Sequence, residues 1–125
     1  MGRYAFFNTE FEYKFWFAIQ PSEDITWFGG SALPPLDSYT LKHTWTQEDR
    51  LAVLDNLMVL VKAFDFKLPD WTAFDKTLDG TDELYDSIPK QGFPEQALAR
   101  FCLGCVIYHQ LLYVEGGVLE ARYEP

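Results

Sequence analysis

The sequence predicts an α+β fold in which an antiparallel sheet of about four strands carries two long helices packed on one face. Three observations predict it. Residues 3–20 and 38–45 alternate apolar and polar side chains with the period of strands, residues 47–64 and 94–114 have the apolar spacing of helices, and residues 118–124 alternate again. Strands and helices in separate runs are typical of the α+β class. With 125 residues and 48% hydrophobic composition, we expect one globular domain over residues 1–125.

The strongest strand pattern runs from Arg3 to Gln20, where apolar residues fall at odd positions and charged residues at even ones. The apolar set is Phe11, Tyr13, Phe15, Phe17 and Ile19, and the charged set is Glu10, Glu12 and Lys14. Asn8-Thr9 predicts a turn that splits this stretch into a hairpin. Residues 21–24 predict a second turn, and residues 25–28 a short strand that ends at Gly29-Gly30.

Two further stretches favour strands. Ser38 to Trp45 alternates after the rigid connector Leu33 to Asp37, whose two prolines exclude regular structure. Val118 to Glu124 alternates at the end of the chain, and we expect this last strand to cover an edge of the sheet.

The first long helix is predicted from about Gln47 to Phe64. Thr46 is a typical N-cap, and acids follow it in the first turn, where the helix dipole favours negative charge. Eight apolar residues are expected to form its buried face: Leu51, Val53, Leu54, Leu57, Met58, Leu60, Val61 and Phe64.

The second long helix, from Pro94 to Val114, is predicted to be the centre of the fold. Proline suits the first turn of a helix, and Gly116 and Gly117 suit its end. Apolar residues surround this helix on every side, which indicates a buried helix, but the run is too short and too interrupted for a membrane span.

Charge and composition narrow the function classes. A formal net charge of −9 argues against a nucleic-acid partner, because phosphate binding depends on clustered Lys and Arg. Two cysteines and the lack of an N-terminal leader pattern favour a cytoplasmic protein without a membrane partner. The sequence predicts no cofactor.

One group of residues has a spacing that permits metal or thiol chemistry. Cys102, Cys105 and His109 would share one face of the second long helix, and His43 could complete a set of four metal ligands. Redox chemistry is disfavoured because reactive Cys-x-x-Cys pairs lie at helix N-termini, whereas Cys102 lies two turns inside. The favoured interpretation is that all three are buried packing residues.

No nucleophile or phosphate-binding motif accompanies these residues. The leading hypothesis is therefore a small acidic cytosolic binding or adaptor module without catalytic activity, which acts through contacts with another protein that has a basic surface or with a second copy of itself. Five residues are predicted to form the partner-binding surface: Trp16, Trp27, Asp79, Asp82 and Glu83. The alternative is a small enzyme or metal/thiol protein that uses the Cys-x2-Cys-x3-His helix face.

Overall fold

One antiparallel sheet and two long helices form the framework of the described residues, which in this computed structural model are 4–16, 20–34, 40–68 and 94–124. The strands are β1 (Tyr4–Phe7), β2 (Glu12–Lys14), β3 (Ser31–Leu33), β4 (Leu41–Thr46) and β5 (Val118–Tyr123). The helices are the short α1 (Asp24–Trp27) and the long α2 (Arg50–Phe64) and α3 (Glu95–Tyr113). This confirms the predicted α+β class.

The strand order across the sheet is β2-β1-β5-β4-β3, with every neighbouring pair antiparallel. Alternate residues of β1, β2, β4 and β5 point into the core, as the period of two requires. The buried residues of these four strands are Ala5, Phe7, Tyr13, His43, Trp45, Leu119, Ala121 and Tyr123. Their outward neighbours are exposed or half-buried, so the helices supply the core on one face of the sheet only.

The predicted hairpin between β1 and β2 is confirmed, and Asn8 fixes its position. The Asn8 side chain donates to the Val118 carbonyl at 3.0 Å and accepts from the Glu120 N–H at 2.9 Å. Glu10 adopts a positive φ of 70° in the turn. Because both the NH2 group and the oxygen of the Asn8 side chain hydrogen-bond to β5, Asn8 fixes this turn against that strand.

Helices α2 and α3 pack antiparallel. Gln47, just before α2, donates to the Leu111 carbonyl near the end of α3 at 2.7 Å. At the other end, the Phe66 ring, just beyond α2, stacks on Phe101 with centroids 4.6 Å apart. Gly104 lies between these contacts, where an added Cβ would come within 2.6 Å of Leu57. A residue without a side chain therefore allows the helices to approach closely.

Thr46 is an N-cap, as predicted, but of a short 3-10 turn that leads into α2 rather than of α2 itself. The Thr46 N–H donates to the Asp49 carboxylate at 2.7 Å, and the Thr46 hydroxyl donates to the same oxygen at 3.1 Å. A short 3-10 turn, Gln47–Asp49, precedes the α-helix. The carboxylate thus satisfies a backbone donor that has no partner inside the helix.

Three expectations were wrong in detail. Residues 25–28 do not form a strand, because most of them belong to α1, and their backbone bonds are local. The last strand does not cover an edge, since β5 lies between β1 and β4. Leu51 is not part of the buried face of α2, because it is 68% exposed. In addition, β3 was not predicted. None of the described helices is long and apolar enough to cross a membrane.

Candidate functional site

A buried polar network joins β2, the start of α1 with the residues just before it, and the first half of α3. We call it the Asp24 network and define it as Tyr13, Gln20, Asp24 and Arg100. The Tyr13 hydroxyl donates to Gln20 Oε1 at 2.7 Å, and Gln20 Nε2 donates to Asp24 Oδ2 at 3.3 Å and to the Ala99 carbonyl at 3.1 Å. Such connected networks stabilise a buried site only when each member has partners, as here.

Arg100 connects the buried Asp24 network to the protein surface. Its Nε and Nη2 atoms donate to Asp24 Oδ1 at 3.2 and 3.0 Å, and its guanidinium lies 4.9 Å from the centroid of the Trp27 ring. The Arg100 side chain is 36% exposed, whereas that of Asp24 is only 5% exposed. A buried carboxylate and an aromatic face therefore fix the orientation of a cation that remains open to solvent.

Contacts with α2 and with the core fix the position of Trp27. The Asn56 side chain on α2 donates to the Trp27 carbonyl at 2.8 Å. The Trp27 ring meets Phe28 edge to face, with centroids 5.0 Å apart, and Phe28 is fully buried. The position of Trp27 is thus set by the core rather than by solvent-exposed loops.

The two predicted tryptophans of the partner surface both lie beside the Asp24 network. Trp16 is half-buried, and its backbone N–H donates to Gln20 Oε1 at 3.2 Å. Trp27 is also half-buried, so neither ring is as exposed as the sequence suggested. The predicted acidic residues Asp79, Asp82 and Glu83 lie outside the described residues.

The candidate metal residues Cys102, Cys105 and His109 are all buried in α3. His109 Nδ1 accepts from the Gln110 side chain at 3.1 Å. Burial, with Cys102 nearby, raises the pKa of the Cys105 thiol well above its usual value, so the thiolate that binds metals or attacks substrates is disfavoured. Among the described residues, no three His, Cys, Asp or Glu side chains are grouped so that they could hold a metal ion.

Tyr13 contacts this part of α3 from the sheet. Burial raises the pKa of its hydroxyl well above the usual value, and Cys102 adds to the effect. The Tyr13 hydroxyl is therefore neutral near pH 7 and acts as a hydrogen-bond donor in the Asp24 network. The raised pKa values of Cys105 and Tyr13 therefore keep both groups protonated near pH 7.

His43, the proposed fourth metal ligand, has a different partner. Its Nε2 lies 2.6 Å from the Gly29 carbonyl oxygen, which can only accept, so this nitrogen carries the proton. Burial lowers the pKa of His43, although the Gly29 carbonyl and the charge of Asp49 raise it. The neutral ring that results belongs to the junction of β4 with the Gly29-Gly30 segment.

Sequence reasoning missed an aromatic pair on the outer face of the sheet. Tyr4 and Phe6 stack with centroids 5.9 Å apart and planes at 28°, and Phe6 is 51% exposed. Phe6 pairs with Glu12 on one side and with Arg122 on the other. Tyr4 and Phe6 occupy even positions, as do the outward-facing charged residues of the hairpin. Aromatic residues on both faces of β1 obscure this alternation in the sequence.

The chain matches no protein-family model, no curated protein and no solved structure. At the Asp24 network, the geometry is an oriented guanidinium beside an indole ring, an arrangement that can donate hydrogen bonds and stack.

Proposed function

We propose that this protein is a small non-catalytic binding module that contacts another protein through Trp27 and Arg100. The observation that carries the proposal is that Arg100 is held by Asp24 and by the Trp27 ring and yet remains 36% exposed. Tryptophan and arginine are the residue types most enriched among those that dominate binding energy. A side chain that is already ordered loses little entropy on binding.

The chemistry of Arg100 defines what the partner must offer. Two of its nitrogen atoms, Nε and Nη2, donate to Asp24, which leaves the Nη1 donors and the second Nη2 hydrogen for a partner. A partner therefore places an oxygen acceptor, such as a backbone carbonyl or a carboxylate, opposite Arg100. The protein as a whole has a net charge of −9, so a basic surface around that acceptor favours encounter.

The residues predicted from sequence keep their roles in this proposal. Trp16 borders the Asp24 network through its bond with Gln20, and it would form part of the rim of the contact. The acidic surface residues predicted from sequence, Asp79, Asp82 and Glu83, predict a partner with a basic surface. A steep loss of association at high salt would support that prediction.

The test compares retention of partner proteins from a host lysate by the wild-type protein and by matched variants. R100A should lose the retained species, while K62A, which removes an exposed cation from the outer face of α2, should keep it. Circular dichroism first establishes that each variant is folded. Loss above about 2 kcal/mol of binding free energy is expected for a hot-spot residue.

Two results would redirect the proposal. If F6S abolishes retention and R100A does not, the contact is the outer sheet face around Tyr4 and Phe6 rather than Arg100. If the wild-type protein sediments as a dimer and R100A as a monomer, the partner is a second copy of the chain. Equal retention by all variants would contradict a binding role for both surfaces.

A further inference from the structure

His43 and Trp45 form an incomplete polar pair on the inner face of β4. His43 is 3% exposed and Trp45 is 0% exposed, and their ring centroids are 4.7 Å apart. His43 Nδ1 and Trp45 Nε1 are fully buried and have no hydrogen-bond partner in the described parts of the chain. Leaving one such group unsatisfied costs about 1–3 kcal/mol, so two adjacent ones require an explanation.

The polarity of the two nitrogen atoms follows from their bonding. Because His43 Nε2 donates to the Gly29 carbonyl at 2.6 Å, His43 Nδ1 in the neutral ring has a lone pair and is an acceptor. The indole Nε1 of Trp45 carries a hydrogen and can only donate. The two unsatisfied atoms are therefore one acceptor and one donor, on rings whose centroids are 4.7 Å apart.

This combination restricts what can complete the pair. A metal cation could bind His43 Nδ1 but would face the positive indole N–H of Trp45. An anion such as chloride could accept from Trp45 but would face the lone pair of His43. A neutral hydroxyl group can donate to the one nitrogen and accept from the other.

The Gly29-Gly30 segment limits the size of such a group. A Cβ added at Gly30 would lie 2.7 Å from Trp45 Cδ1 and 2.8 Å from Trp45 Nε1. The backbone thus approaches the polar edge of the indole so closely that not even a methyl group fits at residue 30. This crowding at the indole nitrogen favours a small group, of about the size of one water molecule, as the one that completes the pair.

We infer that one neutral hydroxyl group, supplied by an internal water molecule or by a small bound alcohol, bridges His43 Nδ1 and Trp45 Nε1. This bridge satisfies both nitrogen atoms at once. Together with the bond from His43 to Gly29, it fastens the segment that leads into the edge strand β3 to the adjacent strand β4.

The test uses nuclear magnetic resonance of the wild-type protein, which needs no substitution. Nitrogen-15 shifts of His43 should identify the neutral ring with its hydrogen on Nε2. The indole N–H of Trp45 should show a nuclear Overhauser effect to protons at the water frequency, and native mass spectrometry should show the mass of the chain alone. An effect to carbon-bound ligand protons, with added mass, would identify a bound alcohol and support the same chemistry.

Variants provide the matched controls. H43L removes the acceptor and should abolish the effect at Trp45, whereas H109L, on α3, should leave it unchanged. Should H43L fail to fold, the wild-type spectrum still decides the question. The inference is overturned if the Trp45 indole proton shows no effect to water or ligand, or if the hydrogen of His43 lies on Nδ1.

Discussion

Two buried polar clusters in the same core are built in opposite ways. In the Asp24 network, donors and acceptors from β2, the start of α1 with the preceding Gln20, and α3 satisfy one another. In the His43–Trp45 pair, both side chains come from one strand, and two of their nitrogen atoms have no partner in the described protein. Polar side chains from several elements can satisfy one another's hydrogen bonds. Two side chains on one strand instead need hydrogen-bond partners from whatever packs against that strand.

The difference has structural consequences. The Asp24 network connects elements far apart in the sequence, so it helps to define where α3 lies on the sheet. The His43–Trp45 pair connects only the Gly29-Gly30 segment to β4, and the described residues supply no group that completes it. The stability of the Asp24 network should therefore respond to substitution of its charged members, and that of the His43–Trp45 pair to changes in the space around it.

The largest effect is expected from G30A, which would alter the space around the His43–Trp45 pair. Gly30 has a φ of 78°, and an added Cβ would collide with the Thr44 carbonyl and the Trp45 ring. The positive φ costs roughly 1–2 kcal/mol and overpacking against backbone roughly 2–3 kcal/mol, so unfolding free energy should fall by about 3–5 kcal/mol. Urea denaturation followed by tryptophan fluorescence measures this loss.

The matched control is G116A. Gly116 has a similar φ of 83°, but no atom lies within 4 Å of an added Cβ. This substitution should therefore lower the unfolding free energy by only roughly 1–2 kcal/mol, the cost of the backbone conformation. Equal losses for G30A and G116A would show that close packing at Trp45 contributes nothing.

The next effect concerns the Asp24 network. D24A removes the acceptor of both Arg100 bonds and of one Gln20 bond. Because Arg100 is partly exposed, water can replace some of these interactions, and we expect a loss of about 2–3 kcal/mol in chemical denaturation rather than the larger cost of a fully buried pair.

The neighbouring residue offers a control for D24A. E23A removes an exposed carboxylate from the same turn and should change the unfolding free energy by less than about 0.5 kcal/mol. The Asp24 network would lose its assigned structural role if the two variants proved equally stable.

Sequence periodicity could predict the framework but not these clusters. Alternation identified the hairpin and β4, and capping residues identified both long helices. The four residues 25–28 were too few to separate a strand from a helical turn, and periodicity cannot say that β5 lies in the middle of the sheet. Strand order depends on long-range pairing, which leaves no local pattern.

The candidate site was predicted only in part, for the same reason. Trp16 and Trp27 were singled out as aromatic residues. Asp24, which hydrogen-bonds to both Gln20 and Arg100, was read as part of an ordinary turn. Arg100 is 76 residues away from Asp24 in the chain. Nothing in the sequence around Asp24 or around Arg100 indicates that the two residues pair. Only the folded structure shows their contact.

The smallest effect is the pH dependence of the His43–Trp45 pair. Burial lowers the pKa of His43, and the Gly29 carbonyl and Asp49 oppose this shift without cancelling it. The unfolded chain therefore binds a proton at a higher pH than the folded chain does, so stability is full above about pH 6.5 and falls as the pH drops toward the lower pKa of the folded state. Urea midpoints measured from pH 7.5 to 5.2 should decrease over this window.

The control H43Q keeps a donor for the Gly29 carbonyl but cannot titrate, so its midpoint should fall less over the same range. Glu120 does not interfere. Burial raises its pKa, but Arg122 and Lys42 outweigh burial and lower it, so its contribution is lost only below the ordinary range of glutamate. A wild-type midpoint that is as flat as that of H43Q would mean that His43 accepts a proton without cost. In that case the buried Nδ1 atom would have an acceptor for its added proton, and the expected cost of charging His43 would be wrong.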